Sequence, residues 1–210
     1  MKRSVILFVL CLLLLTTCRK DVYNPDVCFN ENILPIFISN CTMSGCHNSI
    51  DKEEGYDLTN YDGIMQGISP KHPLTSTLYN AIRGKNPYMP PNSNPKLSSK
   101  DVAYVKIWIE MGAQNTSNCN ECDTSSFSFN NRIQPVFQSW CVGCHNSSNA
   151  GGSVILTDYA NATSTKALDK MLGSIKHLQG YYAMPKSGSQ LPPCEINAIE
   201  KWLNQGHPNN

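Results

Sequence analysis

Residues 141–145 read Cys141-Val142-Gly143-Cys144-His145, and residues 41–47 read Cys41-Thr42-Met43-Ser44-Gly45-Cys46-His47. Each is a pair of thiols followed directly by a histidine, spaced C-x-x-C-H in the later stretch and C-x4-C-H in the earlier. The flanks match too. Ile33-Leu34-Pro35-Ile36-Phe37 pairs with Ile133-Gln134-Pro135-Val136-Phe137, and Leu58-Thr59-Asn60-Tyr61 with Leu156-Thr157-Asp158-Tyr159, each Leu 11 residues after its His. Further on, Tyr88-Met89-Pro90 pairs with Ala183-Met184-Pro185, and Lys106-Ile107-Trp108-Ile109 with Glu200-Lys201-Trp202-Leu203. The offset falls from 100 at the prolines to 94 at the tryptophans, so a few small indels separate two copies of one module. The copies span 28–113 and 122–210, joined by a short polar linker at 114–121.

Both copies read as helical. Ser98 and Asp101 have capping-box spacing, after which Val102, Val105, Trp108 and Ile109 share one helical face and Gly112 stands at a left-handed C-terminal position. In the second copy Pro192-Pro193 opens the element, Ile196, Ile199, Trp202 and Leu203 form the stripe, and Gly206 ends it. Pro35 and Pro135 belong in the first turn of a short helix leading to each Cys pair. The fold class is therefore all-α, with few helices and long loops per module. A domain below roughly 100 residues with such loops needs a staple, a metal or a cofactor at its centre.

The thiols indicate which. C-x-x-C-H is the spacing of covalent haem c attachment. Two thiols on one turn add to the two vinyl groups of haem, and the adjacent His reaches the iron from the same side. This assigns Cys141 and Cys144 as thioether residues with His145 as iron ligand, and Cys41, Cys46 and His47 likewise, with two haems c per chain. Pro35 and Cys46 lie 11 residues apart, against 9 for Pro135 and Cys144, so the insertion sits wholly between the first pair of thiols. A longer loop can bulge outward while both sulfurs still reach the vinyls; the alternative is a first site that binds nothing. Zinc is the rival, because Cys119-x2-Cys122, 18 residues, then Cys141-x2-Cys144 has zinc-ribbon spacing. It would explain one module only and gives no reason for the His after each pair.

The proline-led helix, the Cys…Cys-His, the Leu-Thr-[Asn/Asp]-Tyr, the Met-Pro and the final Trp-bearing helix together resemble the small class I type c cytochromes of exported Bacteroidota and Planctomycetes proteins. The resemblance covers both modules. It implies two tandem cytochrome c-like domains, each built around a covalent haem with His/Met ligation. The residues point the same way: Met89 and Met184 lie in polar loops, directly precede Pro, and follow their His by 42 and 39 residues. His72, His177 and His207 read as solvated or packing residues, with His177 an alternative distal ligand in the second module. Departures from the family pattern are the C-x4-C-H and the extra cysteines.

Those extra thiols are Cys28, Cys119, Cys122 and Cys194. Four cysteines allow three connectivities, which sequence does not settle; the favoured pairing is Cys122–Cys194 with Cys28–Cys119, each tying its module together. At the N-terminus, Lys2 and Arg3 precede an apolar run of 11 residues at 5–15, too short for the roughly 20 needed to span a membrane. Leu15-Thr16-Thr17-Cys18 resembles a bacterial lipobox. The reading is a lipoprotein-type signal peptide at 1–17, lipidation at Cys18 and a tether at 18–27; ordinary cleavage with Cys18 free is the alternative. Loss of Lys2 and Arg3 takes 17 basic residues to 15, against 16 acidic, which argues against nucleic acid as a partner. The expected function is an exported, lipid-anchored electron carrier facing periplasm or cell surface, working between a redox donor and acceptor. A Met in each module favours this over a dihaem peroxidase-like enzyme, which needs one open haem position.

Overall fold

Pro35 and Pro135 shape the start of each module. In a regular helix a proline ring collides with the carbonyl four residues earlier. Just before each proline the helix widens instead. The Leu34 amide donates to the Phe29 carbonyl, and the Gln134 amide to the Phe129 carbonyl, forming π-helical turns Phe29–Ile33 and Phe129–Ile133. A wider turn relieves that collision. It was not foreseen from the pattern, which placed only a short helix there.

The computed structural model describes residues 27–117, 119, 122, 125–186 and 188–210. The signal peptide, Cys18 and the tether up to residue 26 lie outside the described residues. The first module holds α1 (Leu34–Cys41), α2 (Tyr61–Met65), α3 (Thr77–Ile82) and α4 (Ser99–Glu110). The second holds α5 (Gln134–Trp140), α6 (Tyr159–Ala162), α7 (Thr165–Ile175) and α8 (Pro193–Asn204). Among the described residues there is no strand, only an isolated bridge between His145 and Ala150. The fold is all-α.

Local chemistry sets the helix ends. Ser98 accepts from the Asp101 amide at the start of α4, as its spacing predicts. Gly112 and Gly206 take φ of +101° and +81°, followed by Ala113 and His207 at +52° and +46°. The repeated Leu-Thr-[Asn/Asp]-Tyr gains a physical meaning here. Asn60 and Asp158 cap α2 and α6 by accepting from the Gly63 and Asn161 amides at 2.9 and 3.0 Å. The Tyr that follows starts each short helix and sends its hydroxyl to the end of the module: Tyr61 donates to the Ala113 carbonyl at 2.8 Å, Tyr159 to that of His207 at 2.9 Å.

Around these anchors sit matching aromatic clusters. The Phe29 ring lies 5.1 Å from Tyr61 and 5.4 Å from Trp108; Phe129 lies 5.1 Å from Tyr159 and 5.6 Å from Trp202. Both indoles are buried with their N–H satisfied, on the Gln114 carbonyl at 2.9 Å and the Pro208 carbonyl at 3.0 Å. Residues 114–116, read from composition as the start of a linker, therefore close the first module. Thr116 accepts the Asn30 and Phe29 amides, as Asn210 accepts those of Asn130 and Phe129. The first N–H groups of a helix lack partners within it, and the returning chain supplies them. Cys28 is bridged to Cys119, and Cys122 to Cys194, across 91 and 72 residues.

Truncating Trp108 to Ala should lower stability by about 3–5 kcal/mol, the usual cost of emptying a buried aromatic site. Lys106→Ala, two residues away on the same helix, breaks only the exposed Lys106–Glu110 pair (3.0 Å) and should cost less than about 0.5 kcal/mol. Chemical denaturation of both variants checks the contrast.

Candidate cofactor-attachment sites

Helix α1 ends at Cys41, and α5 ends one residue before Cys141. Each delivers its first thiol at the point where the chain turns back. The turns differ by two residues yet close alike. The His47 amide donates to the Cys41 carbonyl at 3.0 Å, and the His145 amide to the Cys141 carbonyl at 2.9 Å. Beyond the His, the Leu58 and Leu156 amides donate to the His47 and His145 carbonyls at 2.8 and 2.9 Å. The extra residues of the first turn are absorbed outside this frame.

Both imidazoles are oriented by main chain. Nδ1 of His47 lies 2.9 Å from the Glu53 carbonyl, and Nδ1 of His145 lies 3.2 Å from that of Val154. A carbonyl only accepts, so Nδ1 carries the proton and Nε2 is left as the nitrogen that can bind a metal. The four thiols beside them are free of disulfides. Burial, then the neighbouring Cys46, pushes the Cys41 thiol up to about 12; burial, then Cys144, does the same to Cys141. Cys46 is raised by burial, then by Asp51 and Glu53, and Cys144 by burial, then by Cys46. These are protonated thiols in close pairs, each with a histidine whose Nε2 is set for a metal. That donor set fits covalent haem, in which thioethers replace the S–H groups and the iron takes the imidazole.

Zinc on Cys119, Cys122, Cys141 and Cys144 does not survive. Cys119 and Cys122 are consumed in bridges to Cys28 and Cys194, the two pairs favoured above, and a disulfide sulfur offers no thiolate to zinc.

Two residues that support the first site were missed by sequence reasoning. Asn48, next to His47, donates to the Met43 carbonyl at 3.0 Å and to Asp51 at 2.6 Å; its own oxygen accepts from the Ile50 and Asp51 amides. Asp51 also accepts from the Gly45 amide at 2.7 Å. Together they brace the enlarged loop between the thiols. The second module uses Asn146 alone, which donates to the Val142 and Gly143 carbonyls. The signal was present as His-Asn-Ser following the second Cys in both copies.

Met89 and Met184 occupy equivalent places, each half-buried, each preceding a cis proline. The Met89 amide donates to the Ala81 carbonyl on α3, and that of Met184 to the Ser174 carbonyl on α7, both at 3.0 Å. His177, the alternative ligand, places Nε2 3.0 Å from the Met184 carbonyl. It braces the methionine loop. His207 packs its ring against Trp202, and His72 is exposed.

Residues 44–93 match the family model described as Planctomycete cytochrome C, and residues 130–203 match that described as cytochrome C oxidase, cbb3-type, subunit III. Each match falls within one module, and together they support a c-type cytochrome. No curated protein and no solved structure matches the chain.

The Asn48 hydrogen bond, then the Gly45 amide, holds the Asp51 carboxyl below the usual carboxylate range. A lowered pKa contributes stability that is full above the ordinary value and is lost as pH falls through the lowered one. Wild type should thus be more stable than Asp51→Asn near neutrality, and the gap should close in acid. Denaturation midpoints across pH measure it; a pH-independent gap contradicts the assignment.

Proposed function

We propose that the chain is a dihaem c-type cytochrome, exported and lipid-anchored through Cys18, that carries single electrons between a redox donor and acceptor. The observation that carries this is the repeated closure from the His amide to the first Cys carbonyl, with Nδ1 engaged and the thiols free, in both modules. Cys41 and Cys46 hold one haem and Cys141 and Cys144 the other, with His47 and His145 as proximal ligands. Bound haem supplies reversible one-electron oxidation and reduction. The protein holds the ligands and fixes the tautomer of each His. Met89 and Met184 are the sixth ligands: each loop is tied to a helix through the Met amide, which helps a weak thioether donor stay on iron.

Intact mass after denaturation, on protein made with a cytochrome c maturation system, should show two covalent haems. The ferric protein should show a weak far-red sulfur-to-iron band, reduced by Met89→Ala and abolished when Met184→Ala is added. A band absent from wild type would remove the Met assignment and bring the peroxidase-like enzyme forward.

Among the described residues no helix is long and apolar enough to cross a membrane. The reading of a lipid anchor rests on the short apolar run at 5–15 that leads into Thr16-Thr17-Cys18. Detergent-phase partitioning should be strong for wild type and lost in Cys18→Ser; equal partitioning into water would sink the anchor.

A further inference from the structure

The two modules meet through the segments that bear the thiols. Helix α1 packs on α5, and the Ser39 hydroxyl donates to the Ser139 carbonyl. Gly143, between the two thiols of the second module, is seated on the end of α1: a Cβ there would stand 1.9 Å from the Ser39 carbonyl oxygen. Gly143 is not among the glycines with positive φ. Its lack of a side chain therefore serves close approach, with no backbone need behind it. Further contacts cross the same seam. Ile38 reaches toward Gly188, in the loop after Met184, and Lys186 in that loop is near enough to Asp51 to favour its charged form.

We propose that Ser39 and Gly143 form a fixed junction that holds the two cofactor-attachment sites against each other, so that electrons pass between the modules within one chain. This rests on the dihaem reading. The exchange moves one electron from the reduced site to the oxidised one; no bond or proton is transferred, and the external donor and acceptor balance the chain as a whole. A junction of this kind makes the tandem repeat a single conductor with two ends. Two modules on a loose polar tether would meet only by diffusion.

Soret circular dichroism of the holoprotein tests the arrangement, because two haems held at a fixed mutual orientation give a bisignate couplet and independently tumbling ones do not. Wild type carrying two haems by mass should show the couplet. Gly143→Val and Ser39→Arg, each wedging the seam, should collapse it to single-signed bands. Ser39 lies outside both attachment motifs, so Ser39→Arg decides the matter if Gly143→Val loses its haem. Two haems without a couplet in wild type, or a couplet unchanged in Ser39→Arg, would overturn the junction alone. Fewer than two haems by mass would overturn the dihaem reading and the junction with it.

Discussion

The hydrogen bond from each histidine amide back to the carbonyl of the first cysteine sets the geometry of both sites. His47 and His145 make it at 3.0 and 2.9 Å although their turns differ in length. It fixes where the imidazole leaves the main chain relative to the first thiol. The loop beyond must then turn its carbonyls toward Nδ1, supplied by Glu53 in one copy and Val154 in the other. Variation is pushed to the outside of this frame. Between Cys41 and Cys46 it is absorbed by Asn48 and Asp51, whose side chains bond the Met43 carbonyl, the Gly45 amide and each other.

Modules this small have little apolar surface to bury, and their loops are long and polar. The structure answers with a dense aromatic contact at the crossing of the first and last helices, Phe29 on Trp108 and Phe129 on Trp202. Each indole and tyrosine spends its polar group on the chain that leaves the last helix. That chain in turn accepts the open amides of the first helical turn. A disulfide then ties each module over a long loop, where cross-linking restricts the unfolded chain most. The module is closed at its termini.

The seam between modules is built from small and flat elements, Ser39, Ser139 and Gly143, with Ile38 beside them. Small residues let main chain approach main chain, which brings attachment segments nearer than bulky side chains would allow. The apolar residues of both modules join in one cluster across this seam. The repeat is thus two copies by descent of pattern and one body by packing.

Much of this was legible in the sequence because it depends on short spacings. Helix faces, caps such as Ser98, terminal glycines, the Cys…Cys-His pairs and the Met-Pro steps are set within a few residues, where backbone geometry leaves few choices. The repeated His-Asn-Ser marked Asn48 without showing its partners, and the roles of Asp51 and His177 were not legible: these residues sit in polar loops without periodicity, where a side chain's partner depends on how the loop folds. The widened turns before Pro35 and Pro135 arise from a steric conflict that residue patterns do not register. Disulfide pairing, the return of residues 114–116 onto the first helix, and the seating of Gly143 on Ser39 join positions 72 to 104 residues apart. No local propensity encodes such contacts. They follow from which buried faces meet, and only the tertiary structure decides that.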